Sequence, residues 1–148
     1  MGRRLYVLGV VWCCSISGCT AGSYGGGTMG CELRPDSPHV SAGYFKKTGL
    51  KNVAGKVDFH CRVLVTSHEI TVRLEKQSGS EWIEMATDSD DRIPPAGGKD
   101  LTTQVAYPGC TSGTWRTLAT AVTLYQGQST TSPLFRSLTS GIDCDRVP

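Results

Sequence analysis

Cysteine, histidine and aspartate are the residues of this chain able to bind a metal, attack a substrate or carry a proton. Their spacing decides which of these is open to them. The 7 cysteines fall at Cys13, Cys14, Cys19, Cys31, Cys61, Cys110 and Cys144. A structural zinc site draws its ligands in close pairs such as C-x2-C. Here the last four cysteines stand tens of residues apart, and His39, His60 and His68 supply no complementary spacing, so no metal site is expected. The histidines read as surface residues: His60 takes the polar face of an alternating run, His68 opens the next run, and His39 follows Pro38 in a loop. A nucleophile needs a base within hydrogen-bond reach and a third group to orient it, and the chain contains no G-x-S-x-G, S-x-x-K or H-E-x-x-H. Asp88, Asp90 and Asp91 gather oxygen ligands, but their loop lacks the glycine and closing glutamate of an EF-hand, so mutual repulsion in an exposed turn is the simpler reading. No catalytic residue and no cofactor is expected.

The N-terminus is more specific. Arg3 and Arg4 precede the apolar run 5–14, and Ser15, Ser17 and Gly18 follow it, which is the charged, apolar, small-residue order of a secretory signal. A membrane-spanning helix needs roughly 20 apolar residues, and this run is about half as long. The quartet Ile16-Ser17-Gly18-Cys19 then resembles the lipobox of bacterial lipoproteins. That resemblance implies that residues 1–18 are a lipoprotein signal peptide and that Cys19 is lipidated. The protein would thus reach a membrane through its anchor, at the outer face of the bacterial cytoplasmic membrane. Cysteine parity agrees: Cys13 and Cys14 leave with the signal, five cysteines remain, and the odd thiol of an exported protein needs an explanation. Acylation of Cys19 supplies one and leaves Cys31, Cys61, Cys110 and Cys144 for two disulfides, in a compartment where disulfides persist. Three connectivities are open to them. The nested one, Cys31 with Cys144 and Cys61 with Cys110, is favoured because it ties the chain ends together and links two central strands.

Charge excludes one class of partner. The chain has 15 Lys and Arg against 13 Asp and Glu, and loss of Arg3 and Arg4 leaves 13 of each. Nucleic-acid binding is dominated by basic side chains neutralising phosphates along one face, so none is expected. Lys46, Lys47, Lys51 and Lys56 form the densest basic run and read as a solvated loop.

The elements that must position these residues are strands. Residues 20–30 are glycine, serine, threonine and alanine rich, a composition that reads as a flexible tether behind Cys19. From residue 31 the chain shows short alternating runs separated by turn residues. The clearest, 56–65, puts Val57, Phe59, Cys61, Val63 and Val65 on one face and Lys56, Asp58, His60 and Arg62 on the other. Runs at 38–45, 68–76, 81–87, 101–107, 114–126 and 132–142 complete about seven strands. That number and spacing predict an all-β, immunoglobulin-like antiparallel β-sandwich over residues 31–148, with two disulfides and no amphipathic helix. Tyr44, Phe45, Trp82, Trp115 and Tyr125 exceed what so small a sandwich must bury, and interfaces favour tryptophan and tyrosine. Trp82, Trp115, Tyr44 and Tyr125 are therefore candidate contact residues, the competing reading being a tryptophan packed on a core disulfide.

Cys61, then Cys110 before Gly113-Thr114-Trp115-Arg116, then Cys144 at the end, make the last ninety or so residues similar to small exported proteins of actinobacteria and their phages. The resemblance bears on fold and compartment. Together these features predict a lipid-anchored, non-catalytic module that binds a protein or another component of the cell envelope. In a resident phage such a module would exclude a second phage by binding its injection machinery or a host envelope protein. Two other classes compete: an envelope hydrolase with an unrecognised carboxylate pair, and a structural or antigenic surface lipoprotein.

Overall fold

In the computed structural model, residues 22–24 and 30–146 are described; Cys19 and the signal lie outside them. The chain folds as two antiparallel sheets face to face. The first sheet contains β1 (Gly22–Tyr24), β2 (Cys31–Pro35), β3 (His39–Val40), β4 (Asn52–Cys61) and β7 (Leu101–Pro108). The second contains β5 (Ser67–Ser78), β6 (Glu81–Asp90), β8 (Gly113–Tyr125), β9 (Gln128–Thr131), β10 (Phe135–Arg136) and β11 (Ser140–Ile142). Three residues of the stretch read as a tether thus add a strand, β1, to β2.

Several of these strands lie end to end. Along one side of β4, β2 pairs with Val57 to Cys61 and β3 with Val53 and Ala54, while β7 takes the other side. In the second sheet the order is β6, β5, β8, and the far side of β8 is shared by β9, β10 and β11 in succession. The single strand expected at 132–142 is therefore broken. The pairing slips by one residue at Ser132 and again at Ser137, because each serine hydroxyl accepts a β8 amide hydrogen: Ala121 N–H at 2.8 Å and Thr117 N–H at 2.9 Å. Both serines also donate their own N–H to β8 carbonyls, so each break is a bulge whose buried backbone groups stay paired.

Alternation carries the core. His68, Ile70, Val72 and Leu74 of β5 meet Val53, Val57 and Phe59 of β4 and Trp115, Ala119 and Ala121 of β8, all nearly inaccessible. At about 1.5–3 kcal/mol per buried large side chain, this face holds the sheets together. Gly55 sets their closest approach: a Cβ there would lie 2.6 Å from Thr117 Oγ1 and 2.9 Å from Leu74 Cδ2 of the facing sheet.

Three expectations are corrected. His68 is not at the surface but 2% exposed, in phase with Ile70 and Val72, its ring stacked on Phe59 at 5.0 Å between centroids. Residues 38–45 are not one strand. β3 stops after two residues, and Ser41 accepts the Tyr44 N–H as the N-cap of α1 (Ala42–Thr48), which Gly49 closes at φ +71°. The disulfides are not nested but join Cys31 to Cys61 and Cys110 to Cys144. Cys31 and Cys61 stand directly opposite on neighbouring strands, Cα atoms 4.0 Å apart, so the β2–β4 register itself selects the pairing.

Candidate functional site

The outer face of the second sheet carries an aromatic and charged cluster built by register. Glu75 of β5 lies between Arg116 of β8 and Glu84 of β6, and Gln77 lies beside Trp82. Arg116 extends across β5. Its Nε and Nη2 meet Glu75 Oε2 at 2.7 and 2.6 Å, and its guanidinium sits 4.0 Å from the centre of the Trp82 ring. Arg73 Nη1 lies 3.8 Å from Glu84. The side chains of Arg116 and Glu75 are mostly covered, at 19% and 13% exposure, so the stacked pair is held in place before any partner arrives. Trp82 remains half-exposed.

The outer face of the first sheet is ionic. His60 Nδ1 lies 2.7 Å from Asp100, and its Nε2 lies 3.8 Å from Glu32; Arg34 meets Asp100 at 2.5 Å. Thr102 donates to Asp58 at 2.5 Å. The hydrogen bond from His60, then the Arg34 contact, hold the Asp100 carboxyl below its usual range. A general acid at neutral pH needs the opposite displacement. No sequence signal singles out Arg34, Asp100 or Thr102, because β2, β4 and the lead into β7 are distant in sequence and meet only through pairing.

The expected contact residues separate. Tyr44 is exposed on α1, and Tyr125 is half-buried at the end of β8, where its hydroxyl accepts from Gln126. Trp115 is no surface residue. It is wholly buried, tilted against Tyr107 at 5.7 Å, with its indole N–H donated to the Thr111 carbonyl. It falls on the inward phase of β8 with Thr117 and Ala119. No family model, curated protein or solved structure matches the chain. The molecule's own geometry is therefore what bears on function.

The aspartates expected in an exposed turn lie instead at the end of β6, Asp88 and Asp90 within the strand and Asp91 just beyond it. Asp90 takes both Nε and Nη2 of Arg92, whose Nη2 also donates to the Thr102 carbonyl at 2.7 Å. The Arg92 hydrogen bonds hold the Asp90 carboxyl down at about 2. Asp88 accepts the N–H of Ser89. Among the described residues no group of three or more His, Cys, Asp or Glu is placed to hold a metal ion. At the β5–β6 hairpin, Lys76, Gln77, Ser78, Ile83 and Met85 line a shallow hollow of about 220 Å³. Burial pushes the His68 imidazole below its ordinary value, against a smaller opposing pull from Asp90.

Proposed function

We propose that this chain is an exported, lipid-anchored binding module whose contact surface is the Trp82–Arg116 face of the second sheet. The two disulfides fit an exported protein, and no helix among the described residues is long and apolar enough to cross a membrane. The anchor rests on the Ile16-Ser17-Gly18-Cys19 quartet. The fold is read as immunoglobulin-like on strand order: β2, β4 and β7 in one sheet and β6, β5, β8 and the β9–β11 edge in the other follow the A-B-E and C′-C-F-G arrangement of that architecture. Its cystine differs, lying within one sheet rather than between the two.

The observation that carries the binding reading is the half-exposed Trp82 under a guanidinium fixed by Glu75. Tryptophan and arginine dominate interface energetics, and a pair already ordered loses little entropy on docking. Asp90 and Asp100 are both held ionised by their arginine and histidine partners, so neither fits the acid role in a hydrolase's carboxylate pair. In its narrowest form, drawn from the likeness to phage-borne lipoproteins, the partner belongs to the injection machinery of an infecting phage or to the host envelope. The test is capture from envelope extracts with Trp82→Ala, Arg116→Ala and Tyr44→Ala variants. Loss with the first two and retention with the third is expected; retention by all three sinks the reading. Intact mass supplies the anchor test: mature protein beginning at Cys19 with added acyl mass is expected.

A further inference from the structure

We infer that the side of the sandwich formed by β1, β2 and β10 lies on the lipid bilayer, with Leu134 and Leu138 entering its interface. The inference rests on the lipid-anchored reading and adds to it the direction in which the domain faces. Three residues take the chain from Cys19 to Gly22, where β1 begins. Fully extended they reach about 11 Å, so a lipid on Cys19 keeps Gly22 beside the headgroup layer. β1 forms the margin of the first sheet next to β2, and β10 of the second sheet packs against β2. The three strands therefore share one side. Gly22 stands opposite Leu33, at the end of β1 nearer Pro35; two residues past Pro35, the Ser37 hydroxyl donates to the Leu138 carbonyl at 3.3 Å. The start of β1 and the turn at Leu138 thus occupy the same stretch of that side.

This stretch offers what a lipid interface takes up. Leu134 and Leu138 are 36% and 66% exposed, and they alternate with Phe135 and Ser137, which are buried. Exposed apolar side chains beside an acyl anchor add buried area to the second signal that stable membrane attachment needs. Charge is balanced here: Arg136 and Asp36 are both exposed and opposite in sign, and Glu32 is engaged by Arg34 and His60. Apolar burial rather than attraction to acidic headgroups is therefore the driving term. An extended peptide fits this edge poorly, because Pro133 and the breaks at Ser132 and Ser137 interrupt its backbone. Trp82 stands on β6, at the opposite margin of the second sheet, three strand spacings or about 14 Å from β10. The domain so seated turns Trp82 away from the lipid.

The test uses the full lipidated protein in phosphatidylcholine vesicles whose acyl chains carry bromine, a contact quencher of tryptophan fluorescence. Leu134→Trp and Leu138→Trp are expected to be quenched at least twofold more than Ile83→Trp, at melting temperatures matching the parent's, while the parent's own Trp82 and Trp115 stay unquenched. Adding phosphatidylglycerol is expected to change these values less than twofold. Equal quenching of Leu138→Trp and Ile83→Trp, quenching of the parent, or quenching only with phosphatidylglycerol overturns the inference. So does a dimer of the detergent-released protein that Leu138→Asp abolishes, since a second copy then covers the leucines. In each of those cases acyl mass on Cys19 keeps the anchored reading and refutes the orientation alone; absence of acyl mass overturns both.

Discussion

The two edges of the second sheet are built on opposite plans. The β9–β11 edge is cut into three pieces by Ser132 and Ser137, contains Pro133, and has its end fastened through Cys144. The β6 edge runs ten residues with one bulge and is tied only at its far end, by Asp90 and Arg92. A sheet that must not aggregate needs both edges interrupted. Here the serine hydroxyls interrupt one edge without orphaning a buried amide, whereas the other carries Glu81, Glu84, Asp88 and Asp90 and a single bulge. The contrast teaches that charge and backbone irregularity are alternative ways of protecting an edge.

Unfastening the protected edge has the largest expected effect. Cys110→Ser with Cys144→Ser opens a loop of 34 residues and lowers stability by about 4 kcal/mol in the loop-entropy account. A drop in urea midpoint checks it, and faster exchange at β11 than at β6 shows which edge was held. Ser137→Ala leaves the buried Thr117 N–H without its hydroxyl acceptor and costs about 1–3 kcal/mol. Exchange at Thr117 should quicken while β6 is unchanged; equal quickening at both would erase the contrast. Trp82→Ala removes the ring under Arg116 and costs about 1 kcal/mol, less than the others because Glu75 still holds the guanidinium. One further effect is acid-specific. The folded Asp90 carboxyl sits at about 2 against 3.8 free, so its contribution is complete above 3.8 and is lost as pH falls towards 2. Urea midpoints across that range should fall less steeply for Asp90→Asn than for the parent.

Alternation made most of the sandwich legible: the phases of β4 and β5 and the β5–β6 hairpin follow from residues 56–87. The same rule, applied to His68, would have placed it inside, two residues before Ile70; its polarity masked its phase. α1 was hidden because its signal is not periodicity but a pair of caps, Ser41 and Gly49, on either side of 7 helical residues. The disulfide pairing depends on register, which periodicity does not encode. Of the candidate face, Trp82 was visible as an aromatic in excess of what so small a sandwich must bury. Arg116 was not, since only the β6–β5–β8 order brings it within reach.

The cystines also decide how the domain answers a pull. Tension entering from the N-terminal side reaches Cys31 and passes through sulfur straight to Cys61, so residues 32–60 carry no load. The second bridge spares residues 110–144 in the same way. Only residues 62–109 can be drawn out between the two ends. Mechanical compliance between the two bridges is thereby concentrated in β5, β6 and β7.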